Sequence, residues 1–347
     1  MKKKLWLWIL LALLAVVIVV LAVNYRATYA VLCNWTAGSI PLDTSTEWDG
    51  GESYLNVRYA QVSEAQYLDL YVPDTAEPAP LYVVIHGGGF IAGDAQTRQA
   101  QFMYRYFRDQ GYAVATIHYR LAQEEPFPGG LEDCKTAIRY LRAHAQQYGY
   151  NADKIAVFGE SAGGYLATMC AVTGEDEFNS QPFTGLDTLG DVSSKVDVLI
   201  NYYGAMDLSN MTDDFNTLGI PQIVCDIGNY WISDDVLQGF ESLESLWRRK
   251  NLSEMTPQEL AYSDPYTYIN KNINKNTDLA VWIIHGDCDI TVPYLQSQRL
   301  YNKLTELMGT DRVVFQLMPG MGHASDPLYA DDVLAQIKTF MDTNMLP

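Results

Sequence analysis

From about residue 50 to the C-terminus, short apolar runs alternate with amphipathic stretches. Tyr54–Tyr59 and Tyr67–Val72 predict an antiparallel opening pair of strands, stopped by Pro73-Asp74. Leu81–Ile85, Tyr112–His118, Lys154–Phe158, Val196–Tyr202, Leu279–Ile284 and Val313–Leu317 are short, β-branched and apolar, as buried strands require. Between them, Arg98–Gln110 is helical and ends at Gly111. Leu131–Tyr148 places Ala137, Ile138, Leu141 and Ala145 on one helical face, and Val333–Met341 is a closing helix. Strand and helix alternating at this pace predict a mostly parallel, doubly wound α/β sheet. The rhythm breaks between Asp207 and about Asn276. There Val236, Leu237, Phe240, Leu243, Leu246 and Trp247 recur at helical spacing, after Pro221 and Trp231. This stretch, about 208–276, reads as a helical insertion over the carboxyl edge of the sheet. Burial in the core accounts for most of its stripe, and a cap that shapes a pocket is compatible with that.

The N-terminus follows another pattern. Lys2, Lys3 and Lys4 precede nineteen apolar residues, Leu5–Val23. At helical rise that run nearly matches a hydrocarbon core of about 30 Å. A cleaved signal peptide has a shorter apolar region, of about 7–15 residues. Residues 1–23 are therefore read as an uncleaved membrane anchor, with cleavage after Thr28-Tyr29-Ala30 as the alternative. In both readings the lysines stay cytoplasmic and the globular part is exported. Residues 24–50 read as a linker and 51–347 as the folded domain.

The chain has 347 residues, 48% of them hydrophobic, enough for one large domain with a sizeable core. A net charge of −19 argues against nucleic-acid binding and is otherwise a solubility feature. Cys33, Cys134, Cys170, Cys225 and Cys288 are scattered, with no metal-ligand spacing, so neither a zinc site nor a disulfide framework is expected.

Gly159-Glu160-Ser161-Ala162-Gly163 joins the strand-like Lys154–Phe158 to a helix-forming stretch. A serine in a tight strand-to-helix corner, flanked by glycines where a Cβ would clash, is the pattern of a nucleophile elbow. At average glycine usage, with serine taken as similar, that pattern arises by chance in about one chain in ten of this length. Other residues must support it. Acyl transfer through serine needs a base, an acid that holds the base in the right tautomer, and N–H donors for the developing oxyanion. In an open-sheet hydrolase the chain order is serine, acid, histidine. Of five histidines only His285 and His323 follow Ser161. His323 sits in a glycine-rich loop after the last strand and is the candidate base. His285 ends a buried strand and reads as structural. The loop after Leu279–Ile284 offers two carboxylates. Asp287, beside a glycine, suits capping of the loop's own backbone. Asp289 lies further out, where His323 would arrive, and is the candidate acid. For the oxyanion hole the candidates are Ala162, after the serine, and Gly87, Gly88 and Gly89, after a Val-Val-Ile strand. Gly88 and Gly89 are the better donors, with Gly87 and His86 shaping the loop.

Together, His86-Gly87-Gly88-Gly89-Phe90, Gly159-Glu160-Ser161-Ala162-Gly163-Gly164, His285-Gly286-Asp287-Cys288-Asp289 with Val292-Pro293, and Gly322-His323 resemble the α/β-hydrolase esterases of the hormone-sensitive-lipase-like group. Tyr119-Arg120-Leu121 and the stretch from Phe127-Pro128 to Asp133 resemble it too. The resemblance covers roughly residues 50–345. It implies an α/β-hydrolase fold and a serine carboxylesterase for small to medium acyl esters, with no metal or cofactor. Some members of such families act on acetylated or feruloylated sugars, others on small lipids or arylformamides. The chain departs from the pattern at Glu160, where many members have Asp, at His118 before Tyr119, and in the long insertion. A serine peptidase on the same fold and a non-enzymatic binding domain are the alternatives. The sequence leaves the oligomeric state open.

Overall fold

The structure, a computed structural model, describes residues 14, 25–36, 39–42, 48–179, 192–228 and 232–346. Eight strands form one sheet: Gly51–Arg58 (β1), Tyr67–Pro73 (β2), Pro80–Ile85 (β3), Ala113–Ile117 (β4), Asn151–Glu160 (β5), Val198–Tyr202 (β6), Ala280–Gly286 (β7) and Val313–Met318 (β8). Their order is β1-β2-β4-β3-β5-β6-β7-β8. β2 runs antiparallel to both β1 and β4, and every other pair is parallel. This is the α/β-hydrolase fold, a mostly parallel central sheet flanked by helices.

The continuous apolar runs follow from burial on both faces. Along β3, Leu81, Val83 and Ile85 enter one core while Tyr82 and Val84 enter the other. β5 repeats this with Ile155 and Val157 against Ala156 and Phe158. Helices Gly129–Ala143, Ala162–Val172 and Leu295–Met308 cover the first face, and Arg98–Asp109 and Asp331–Met345 the second. Two buried cations are met by acceptors. Arg120 donates to both oxygens of Asp133 at 2.9 Å. Lys135 donates to Thr173 Oγ1 and to the Gly174 and Glu177 carbonyls, which ties down the C-terminal end of helix Ala162–Val172.

Several elements differ from the sequence reading. The expected helix Leu131–Tyr148 is two helices, Gly129–Ala143 and Ala145–Tyr148, with the break at His144. Helix Leu295–Met308 was not anticipated. The apolar stripe from Val236 to Trp247 is two short helices, Asp234–Leu237 and Leu243–Arg248, parted by Gln238 and Gly239 at positive φ. Within 24–50, read as a linker, Tyr25–Thr36 is a helix, because Ala27, Ala30 and Cys33 repeat every third residue and are buried. The Leu5–Val23 run lies, except for Leu14, outside the described residues, as does Trp231. Among the described residues no helix is long and apolar enough to cross a membrane.

Candidate active site

β5 ends at Glu160 and the next helix begins at Ala162, so Ser161 alone makes the turn, at φ 53° and ψ −121°. A non-glycine residue there is strained, by about 1–3 kcal/mol. The surroundings hold it. A Cβ on Gly159 would lie 2.0 Å from the Gly163 carbonyl oxygen, and one on Gly163 would lie 2.3 Å from that of Ile85. Both positions therefore require glycine. Ser161 N–H donates to the Tyr202 carbonyl at 2.9 Å, which fixes the corner to β6.

The turn brings Ser161 Oγ to 3.0 Å from His323 Nε2. His323 Nδ1 lies 2.6 Å from Asp289 Oδ2. A carboxylate only accepts, so Nδ1 carries the proton and Nε2 accepts from the Ser161 hydroxyl. Asp289 is fully buried and its Oδ1 accepts from the N–H groups of Thr291 and Val292, both at 2.8 Å. Burial alone would raise its pKa. The charge of His323 and hydrogen bonds from His285 and His323 outweigh it and hold the carboxyl well below the usual range. For His323, burial lowers the pKa. The charge and hydrogen bond of Asp289, and the more distant Glu160, outweigh that, so the imidazole titrates above its ordinary value.

Asp287 does not reach this relay. Its Oδ1 accepts from Gly320 N–H at 2.7 Å and its own N–H donates to Met318, so it braces the turn that leads to His323. The glycines separate into two roles. Gly87 N–H donates to Glu160 Oε1 at 2.6 Å, which removes it as an oxyanion donor and corrects that expectation. Gly88 and Gly89, at φ 105° and 62°, line the cavity with Ser161 and Ala162. His86 holds the loop from beneath. Burial drives its pKa down to about 3, so it is neutral. Its Nδ1 faces the Gly87 carbonyl at 2.8 Å and its Nε2 faces His118 Nδ1 at 3.1 Å.

Two residues carry more than the sequence reading gave them. Glu160, the departure within the elbow, is buried and bonded to the glycine loop. Burial raises its pKa, against the Gly87 N–H and His323, which lower it. His285, read as a strand end, reaches Asp289. Its Nε2 faces the Val292 carbonyl at 2.9 Å and Asp289 Oδ2 at 3.2 Å, and its Nδ1 lies 2.7 Å from Ser297 Oγ. Spacing four residues apart, His285 to Asp289, was the available signal.

Above Ser161 is a cavity of about 960 Å³. Its floor is Gly87–Phe90, Ser161, Ala162 and His323, and much of its wall comes from the insertion, including Met211, Phe215, Leu237 and Leu243. Trp247 of the insertion stacks on Phe90 of the glycine loop, ring centroids 4.2 Å apart, so the insertion is seated on the loop itself.

A serine hydroxyl, an imidazole and a buried carboxylate in series, at the carboxyl edge of an open α/β sheet, are the constellation of the α/β-hydrolases. The BD-FAE family model matches residues 68–304, and the chain belongs to that family. It is similar to a probable carboxylic ester hydrolase, LipM, of Mycobacterium tuberculosis, with 24% identity over 79% of this chain and 56% of the relative. Esterase LipC of the same organism is 25% identical over 76% of this chain and 58% of its own length. The chain thus spans little more than half of these curated relatives. Among solved structures it resembles a truncated carbohydrate esterase from gut microbiota, with TM-score 0.67 and 24% identity, covering 85% of this chain and 97% of the other. Esterase B of Lactobacillus rhamnosis superposes with TM-score 0.59 and 20% identity, over 95% and 96% of the two chains.

Proposed function

We propose that this protein is a serine carboxylesterase that hydrolyses small to medium acyl esters through an acyl-enzyme. The observation that carries the reading is the unbroken series Ser161 Oγ, His323 Nε2, His323 Nδ1, Asp289 Oδ2 at the foot of the cavity. Ser161 gives its proton to His323 Nε2 as its oxygen bonds to the ester carbonyl carbon. Asp289 stabilises the imidazolium so formed. The carbonyl oxygen, now an oxyanion, is met by the N–H groups of Gly88, Gly89 and Ala162. His323 then protonates the departing alcohol oxygen as the C–O bond breaks, leaving the acyl group on Ser161. Water deprotonated by His323 repeats the sequence and frees the acid.

The insertion acts as a cap whose apolar wall receives the substrate. Membership of BD-FAE and the names of the curated relatives favour ester over amide hydrolysis. Three lysines before a nineteen-residue apolar run favour an uncleaved anchor with the catalytic domain outside the cytoplasm. A panel of aryl esters of increasing acyl length, run beside an aminoacyl arylamide, tests the function. Ester turnover that falls with long acyl groups is expected, and hydrolysis of the amide alone would establish the peptidase reading instead.

A further inference from the structure

We propose that the helix Tyr25–Thr36, which leads out of the N-terminal apolar run, is a wall of the substrate site, with Val31 closing a subsite for the apolar part of an uncharged ester. The inference rests on the esterase reading and goes beyond it, because the motifs of the active site all lie after residue 80.

The helix is not an outlying stalk. Ala27 and Ala30 are buried in one apolar cluster with Phe215, Leu218, Ile220, Val224, Cys225 and Ile290, and Val31 packs against that cluster. Arg26 reaches the Leu218 carbonyl at 3.4 Å. Of the cluster, Phe215, Cys225 and Ile290 also line the cavity over Ser161, and so does Val31. Ile290 follows the acid Asp289 directly in sequence. The helix therefore touches the cap on one side and the acid loop on the other, and one of its side chains faces the space between them. Small residues at 27 and 30 let the helix backbone come close, and the larger Val31 next to them projects into the cavity. Cys33, two residues on, is buried beside the Cys288 thiol, which sets the far end of the contact against the same loop. Val31, Phe215 and Ile290 present only carbon atoms from their side chains. A hydrocarbon group of the substrate is the chemistry such a corner accepts.

The residue is therefore a determinant of substrate size rather than of the reaction. In an apolar pocket one methylene changes discrimination by about tenfold or more. The test uses the full-length protein in detergent and two ester series. One varies the acyl group from acetyl through butyryl to octanoyl on a fixed aryl alcohol. The other keeps acetyl and enlarges the alcohol. Val31→Trp is expected to lower kcat/KM by about tenfold for the large members of one series and to leave the smallest ester within about threefold. Val31→Ala is expected to shift the same series toward larger members. Leu32→Trp, on the exposed side of the helix, is expected to change neither. If both Val31 variants keep the wild-type profile in both series, or if all members fall equally, the inference is wrong. Absence of ester turnover in the wild type would instead overturn the esterase reading.

Discussion

Asp289 and His285 share a hydrogen-bonding geometry across one turn of the acid loop, Nε2 to Oδ2 at 3.2 Å, on the same oxygen that His323 reaches at 2.6 Å. The Asp289 carboxylate is thus held by four donors, two backbone N–H groups on Oδ1 and two imidazoles on Oδ2. Replacing His285 by Leu removes one holder and leaves the Ser297 hydroxyl without its ring partner. kcat should fall by about tenfold or more with KM little changed, since small displacements of a catalytic group are costly. His285→Gln, which restores a donor, should recover part of the loss. A purely structural role would lower the melting temperature of the Leu variant and leave kcat intact.

The two neighbouring carboxylates separate on turnover and unfolding measured side by side. Asp289→Asn keeps the shape, removes the charge and favours the wrong imidazole tautomer. In the well-studied serine protease triad the same change costs about 10⁴ in kcat. A drop of at least about a hundredfold is expected here. Asp287→Asn weakens a turn bond to Gly320, so a loss of about 1 kcal/mol in stability and less than about tenfold in rate should result. A dead Asp287 variant beside an active Asp289 variant would reverse the assignment.

The pH profile follows from the His323 environment. Only neutral imidazole accepts the serine proton, so kcat/KM should rise with pH, with a midpoint above the ordinary histidine value of about 6.5. Asp289→Asn removes the largest raising influence and leaves burial to act, so the residual activity should titrate at lower pH. Stability carries the matching signs. The His323 contribution is present below its unfolded pKa and lost as pH rises through the folded one. That of Asp289 is present above about pH 3.9 and lost as pH falls toward its depressed folded value. Activity and chemical unfolding measured across pH check both.

Gly87 tests the glycine loop. A Cβ there would lie 2.5 Å from Glu160 Oε2 and 2.6 Å from Oε1, so Gly87→Ala must displace the carboxylate or the loop. Removal of a single oxyanion donor costs about 10²–10³ in kcat, and a shifted loop should approach the lower figure. Glu160→Gln, which keeps an acceptor for the Gly87 N–H, should be milder. Wild-type kcat in Gly87→Ala would show that the loop tolerates the shift.

The strands were legible because burial on both faces leaves uninterrupted apolar runs, as in Leu81–Ile85 and Leu279–Ile284. The candidate residues Ser161, Asp289 and His323, which the structure brings together, stood out because each sits in a loop after a strand, with glycines that a sequence displays. What escaped was held by distance. Gly87 and Glu160 are 73 residues apart, and nothing in either motif states that the N–H of one is consumed by the other. The helix Tyr25–Thr36 is marked only by Ala27, Ala30 and Cys33, and its partners begin at Phe215. The break at His144, whose Nδ1 lies 2.8 Å from the Tyr140 carbonyl, interrupts a pattern that periodicity alone runs through to Tyr148.

The covalent step is the centre of the account, and labelling with an organophosphate followed by peptide mass spectrometry tests it most directly. The wild-type protein should take up one adduct per chain, on Ser161, with turnover lost in proportion, and Ser161→Ala should show neither adduct nor turnover. An adduct on another residue, or an alanine variant that still hydrolyses esters, would contradict it.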